Sequence, residues 1–247
     1  MCGRYGLFHT WAELHAAYSM VGPALNLMPR YNIAPTQAII AVIRAAGGGN
    51  AGGNGGGREA TGFQWGLIPP WAKDPAVGAK MTNARSETIT EKPSFKNAFK
   101  RRRCLIPASG FFEWTSTGTG PKQPVWISSP DAGLITFGGL WEAWHSPDGG
   151  ELQTCTIVTT TANETLKPYH HRMPVLLTPD SFDAWLGDGQ ESREDQDRAA
   201  SLMVPAPDDA LIVRPVGPAV SNVRNDGPEL LDEVSPAAMA PKQGELF

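Results

Sequence analysis

Arg103-Cys104-Leu105-Ile106-Pro107-Ala108-Ser109-Gly110-Phe111-Phe112-Glu113-Trp114 is the most informative internal stretch of this chain. It is apolar and strand-like, and it carries one carboxylate between two aromatic rings. If alternation turns Glu113 outward, it is a surface acid. If alternation turns it inward, desolvation raises its pKa and fits it for proton transfer. The residues alone leave both open.

Strand signals continue on either side. Residues 38–44 form a short apolar run suited to a buried strand, and residues 61–68 resume as a strand that ends at Pro69-Pro70-Trp71. Residues 124–128 and 134–144 read as two arms of a hairpin, 152–160 as a further strand and 211–216 as a late one. Helical signals are short. Residues 10–20 open with a Thr N-cap and a Glu three positions later, residues 94–103 are basic and helix-like, and residues 181–186 read as a short helix. The sequence is therefore β-rich.

At 247 residues, 41% apolar and 19% charged, the chain is long enough for one sizeable core and has the balance of a soluble globular protein. One domain is expected over residues 1–232. The Gly-rich tract at 47–57 has too little to bury to repay its ordering entropy and is expected to be a flexible loop joining two strands. The polar, Pro-containing stretch 233–247 is expected to be a disordered tail. No run approaches the ~20 apolar residues of a membrane span, and no basic region followed by an apolar run opens the chain. A cytoplasmic protein with no membrane partner is expected.

The net charge of −4 argues against coating nucleic acid by bulk electrostatics and leaves room for a local site. The basic run Lys96 to Arg103 fits a solvated helix face as well as a groove that tracks phosphates. Three cysteines, Cys2, Cys104 and Cys155, are odd in number and far apart, with no Cys-x-x-Cys and no zinc-like His spacing. Neither disulfide nor metal is expected. Cys104 and Cys155 sit in apolar strand contexts and read as buried, inert thiols.

Cys2 differs chemically from both. Removal of Met1 before so small a residue would leave a thiol and a free α-amine on one carbon skeleton. With pKa values near ~8.5 and ~8, both would be partly nucleophilic at neutral pH without any buried environment. The amine attacks an aldehyde to give a Schiff base, and the thiol closes onto that carbon as a five-membered thiazolidine. Gly3 lets backbone approach a ligand, Arg4 pairs with phosphate or carboxylate in a fork, and Tyr5 opens an apolar anchor. Further on, Trp71 on its Pro-stiffened turn reads either as a lid on the core or as a stacking platform. Asn83-Ala84-Arg85-Ser86-Glu87-Thr88 is rich in forked hydrogen-bonding groups. His170 and His171, adjacent in a strand-like run, are expected to point to opposite faces, so that one at most enters a given site.

With these residues in view, the chain resembles the SOS response-associated peptidase family, abasic-site-processing proteins that crosslink to damaged single-stranded DNA. The matching pieces are Met1 to Tyr5, Arg30-Tyr31-Asn32-Ile33-Ala34-Pro35-Thr36, Trp65-Gly66-Leu67-Ile68-Pro69, Asn83 to Thr88, Gly110-Phe111-Phe112-Glu113-Trp114 and His170-His171-Arg172-Met173-Pro174, in family order. The resemblance implies an α+β fold on a curved, barrel-like, mainly antiparallel β-sheet with flanking helices, with the processed Cys terminus in a cleft. It implies capture of abasic sites in single-stranded DNA by Cys2, with Asn83 positioning Cys2 and the opened sugar, Glu113 as the acid/base, and His170 assisting ring opening and release. Gly3, Arg4, Arg85 and Arg172 would face the DNA, and Trp65 or Trp71 would block or stack on a neighbouring base. The resemblance implies no cofactor and no metal, and a monomer is expected. Strand cleavage as an abasic-site lyase and self-removal of Met1 are activities in keeping with it. Two other functions stay open: a thiol peptidase or amidohydrolase using Cys2, and a noncatalytic reader of modified DNA bases.

Overall fold

The computed structural model describes residues 2–45, 57–116, 121–187 and 191–235. Its strands are β1 (Tyr5–Leu7), β2 (Arg30–Ile33), β3 (Ala38–Arg44), β4 (Arg58–Trp65), β5 (Asn83–Arg85), β6 (Arg103–Ala108), β7 (Gly110–Thr115), β8 (Gln123–Ser128), β9 (Ile135–His145), β10 (Glu151–Thr161), β11 (Arg172–Pro174) and β12 (Ile212–Pro215). They form two layers. One is an open sheet in the order β12-β8-β7-β1-β2. The other runs β10-β4-β3-β6-β9 and returns to β10, a closed five-stranded barrel, with β5 and β11 added along the far end of β10. Pairing is antiparallel apart from β10 with β4 and with β5. The fold is therefore the expected α+β arrangement, mainly antiparallel and barrel-like. Closure removes the exposed edges that an open sheet would present.

Four short helices flank the strands: α1 (Trp11–Tyr18), α2 (Lys96–Arg101), α3 (Phe182–Leu186) and α4 (Arg193–Ser201). The Thr10 signal is realised as a full capping box. Thr10 Oγ1 accepts the Glu13 N–H at 3.3 Å and Glu13 returns a carboxylate to the Thr10 N–H at 2.6 Å. Ser19 in the left-handed region ends the helix, and Leu14 and Tyr18 are the side chains it buries. Helix α4 has no counterpart in the sequence reading. Its inward Asp195 forms a buried ion pair with Arg103, whose Nη1 also donates to Phe99 O at 2.6 Å.

Alternation along β7 divides the core. Phe111 joins the main cluster with Tyr5, Trp65, Phe137 and Ile157, whereas Phe112 joins a smaller cluster with Trp126, Val216, Val220 and Leu230.

One expectation needs correction. Residues 124–128 and 134–144 are not hairpin partners: β8 pairs with β7 and β12, while β9 pairs with β6 and β10. The connection between them passes through Ala132 at φ 56° and carries the chain from one layer to the other. Just past residue 232, Glu233 bridges Val216 and the Val234 N–H donates to Pro215 O at 3.0 Å. The basic run is largely neutralised, with Arg101 on Glu191, Arg102 on Glu142 and Arg103 on Asp195. The expected loop at 47–57, up to residue 56, and the tail beyond 235 lie outside the described residues. The strands flanking the Gly-rich tract do pair, with Arg44 opposite Arg58.

Candidate active site

The start of the chain is held between the two layers. β1 pairs with β7, with Tyr5 opposite Phe111, and the Phe112 N–H donates to Arg4 O at 2.9 Å. This register sets Cys2 near Glu113, one step further along β7. From the barrel side, β5 lies beside β10 with Asn83 opposite Ile157. Asn83 Nδ2 donates to Cys2 O at 2.9 Å and to Thr82 Oγ1 at 3.1 Å. Asn83 Oδ1 is buried and has no hydrogen-bond partner among the described residues. One side-chain amide thus fixes the Cys2 backbone and keeps an acceptor in reserve.

Glu113 is 6% exposed. It shares the face of Phe111, the inward face of β7, which settles the alternative that the residues left open. Burial raises its carboxyl pKa, with the charge of the chain's amino terminus pulling the other way. Cys2 is fully buried, and burial pushes its thiol up, with a further push from the Glu113 carboxylate. The expectation of a thiol activated without a buried environment is therefore corrected: at neutral pH this thiol keeps its proton. His170 Nδ1 lies 2.9 Å from the Arg172 nitrogen and 3.2 Å from the Arg172 carbonyl oxygen, so the turn into β11 fixes the ring. Burial lowers the His170 pKa to about 4, the amino-terminal charge adding to the effect.

The two histidines do not lie in a strand. They precede β11 in a turn, and their rings stack at 4.4 Å instead of pointing to opposite faces.

Around this centre, Gly3 is half-buried, Arg85 is exposed on β5, and Trp71 is 63% exposed. Trp65 is a correction. It is 0% exposed, stacks edge-on with Tyr5 at 5.4 Å and donates Nε1–H to Thr82 O at 2.9 Å, so no face of it is open to a base. Gly66 follows it at φ 127°, and a Cβ there would lie 2.5 Å from Gly78 O. Only Gly permits this closing of the loop that presents Trp71. Trp144 Nε1–H, bonded to Ala72 O at 2.7 Å, holds the same loop. Arg172 is 7% exposed, forked onto the Glu87 carboxylate and bonded to Thr159 O at 2.6 Å. Arg4 Nη1 donates to Asn32 Oδ1 at 2.7 Å and Val220 O at 2.8 Å. Asn32 and Glu87 were not singled out from sequence, although both lie inside quoted motifs. Each bonds across more than 80 positions of chain, which no local pattern reveals.

Among the described residues no group of three or more His, Cys, Asp or Glu could hold a metal ion, and no helix is long and apolar enough to cross a membrane.

The family model described as SOS response associated peptidase (SRAP) matches residues 1–223. The chain belongs to the SRAP family. Similar relatives include the abasic site processing proteins YoqW and YoaM of Bacillus subtilis (strain 168). YoqW is 38% identical over 94% of this chain and 99% of its own length, and YoaM 39% identical over 94% and 98%. The abasic site processing protein HMCES of Gallus gallus is 36% identical over 68% of this chain and 56% of its own length. A crystal structure of a protein from Bacteroides thetaiotaomicron superposes with a TM-score of 0.79 at 25% identity, covering 95% of this chain and all of that one. The SRAP fold is thus shared well beyond close sequence identity.

Proposed function

We propose that the protein captures abasic sites in single-stranded DNA as a covalent DNA–protein crosslink through Cys2. The observation that carries this reading is that Asn83, from the opposite layer, bonds to the carbonyl of fully buried Cys2 at 2.9 Å, beside the buried carboxyl of Glu113. Membership of a family whose relatives are named abasic site processing proteins supports it.

Loss of Met1 transfers the terminal amine to Cys2. The amine adds to the C1′ aldehyde of the ring-opened deoxyribose, giving a carbinolamine. Protonated Glu113 gives its proton to the departing hydroxyl, which leaves as water, and recovers the proton that the nitrogen sheds. A carboxyl whose pKa is raised by burial suits this exchange near neutrality. The Cys2 sulfur then bonds to the imine carbon while the thiol proton passes to the nitrogen, closing the thiazolidine. The product is protein plus DNA minus one water. Because the imine carbon is a strong electrophile, a protonated thiol with a neighbouring proton acceptor is sufficient.

His170 assists at the sugar oxygen during ring opening and its reversal. Arg4 and Arg85 take flanking phosphates, Gly3 lets the strand close in on the terminus, and Trp71 stacks on a neighbouring base. Arg172 reaches a phosphate by exchanging Glu87 for it. Loss of a C2′ proton at the Schiff-base stage releases the 3′ phosphate by β-elimination, a lyase branch that ring closure forestalls. Amide hydrolysis by Cys2 is disfavoured, since it needs a thiolate and burial opposes one.

Intact mass under denaturing conditions, before and after incubation with a single-stranded oligonucleotide bearing one abasic site, tests the proposal. Loss of Met1 and an adduct of protein plus DNA minus one water are expected. Loss of Met1 without any adduct would overturn the aldehyde chemistry.

A further inference from the structure

We propose that Asn32, together with the 220–226 segment seated on it, positions Arg4 for an oxyanion of the DNA backbone. The inference deepens the reading of Cys2 as a capture reagent and rests on it.

Arg4 is half-buried and has no carboxylate partner among the described residues. This separates it from Arg102, Arg103 and Arg172, each neutralised by an acid. Its Nη1 is held by two uncharged oxygens, Asn32 Oδ1 and Val220 O, and its guanidinium carbon lies 5.5 Å from the centre of the Trp114 ring. Neutral acceptors orient a guanidinium without cancelling its charge. Nε is buried without a hydrogen-bond partner among the described residues, so the guanidinium keeps donor capacity beyond Nη1.

Asn32 is itself fully enclosed. Its Nδ2 faces Val220 O at 3.2 Å, Asn222 O at 3.1 Å and Asn225 O at 2.8 Å. Asp226 Oδ1 accepts the backbone N–H groups of Tyr31 and Asn32, covering the free edge of β2. Trp114 Nε1–H donates to Ser221 Oγ at 3.1 Å, tying the same segment to the ring beneath Arg4. One amide therefore holds the arginine with its oxygen and the strap with its nitrogen.

The test uses the full chain. Noncovalent binding is measured to a single-stranded oligonucleotide carrying tetrahydrofuran, which has no aldehyde, at two salt concentrations. Single-turnover crosslinking is measured against the concentration of an abasic oligonucleotide. Asn32→Asp sets a carboxylate against Arg4; tetrahydrofuran-DNA binding is expected to weaken about tenfold, and its salt slope to become shallower by about one. Asp226→Ala is expected to raise the half-saturating DNA concentration several-fold, falling on that constant and not on the maximal rate, and Asp226→Asn, which keeps an Oδ1 acceptor, to restore most of it. Wild-type affinity and salt slope in Asn32→Asp would overturn the inference, as would equal defects in the two Asp226 variants. Should Asn32→Asp not fold, the Asp226 pair decides. Absence of any wild-type crosslink would sink the Cys2 reading, while the tetrahydrofuran arm would still judge Arg4.

Discussion

The side-chain amide of Asn83 donates to the carbonyl oxygen of Cys2 at 2.9 Å, from a strand on the opposite layer of the protein. Asn83→Ala removes that donor and the unpaired Oδ1 beside it. Crosslink formation in single turnover is expected to fall about tenfold or more, the equivalent of one hydrogen bond of about 1.5 kcal/mol. Asn83→Asp keeps the shape but leaves the Cys2 carbonyl facing a carboxylate, and should be slower still. A rate equal to wild type in both would detach Asn83 from the reaction.

Glu113→Gln should slow capture by about 10²- to 10⁴-fold, the range for a lost general acid or base. The same change should raise the melting temperature at pH 7. A carboxyl whose pKa is higher in the folded protein binds more protons there than in the unfolded chain. Stability therefore declines as pH rises from the unfolded value near ~4.3 through the raised folded value. Glutamine removes that decline. Melting curves from pH 4 to 8 check the sign.

His170, with its pKa lowered to about 4, stays neutral through the usual histidine range. Crosslink reversal is therefore expected to show no inflection near pH 6.5 attributable to this ring. The folded protein takes up fewer protons than the unfolded chain between about 6.5 and about 4, so stability from this group is full above the upper value and is lost as pH falls towards the lower. His170→Ala should flatten that acid limb and slow reversal more than His171→Ala. Equal effects of the two substitutions would reassign the role.

Asp195→Ala leaves the buried Arg103 charge without its acid and is expected to cost about 3–5 kcal/mol, read from urea denaturation. The crosslinking rate of the protein that remains folded should change little, since neither residue borders Cys2.

Features written in neighbouring residues were legible in the sequence, and those that depend on partners were not. The Thr10–Glu13 box is complete within four residues and was read as it stands. Apolar runs located most strands, but a run does not name its partner, and residues 124–128 joined β7 and β12 rather than 134–144. Glu113 was ambiguous because both faces of β7 are covered, one by the main core and one by the Phe112 cluster, so polarity alone could not mark the inward side. The resemblance gave Trp65 and Trp71 the same role, and the closing of the loop at Gly66 separates the core ring from the exposed one. Asn32 gave no signal, because the partners of its Nδ2 stand about 190 positions away.

The span between the first residues and what holds them also sets a clock. Arg4 waits for Val220, a separation of 216 positions, and Cys2 waits for Asn83, 81 positions on. At ~5–20 residues per second, ribosomal synthesis takes roughly 10 to 40 s to reach Val220. Until then the segment that ends up enclosed at the centre of the molecule is open to any enzyme that trims a nascent chain. Afterwards Arg4 is held by a segment made late in synthesis. Maturation of the terminus is thus expected to compete with elongation, and slowing translation near the 3′ end of the message should raise the fraction of chains that begin with Cys2.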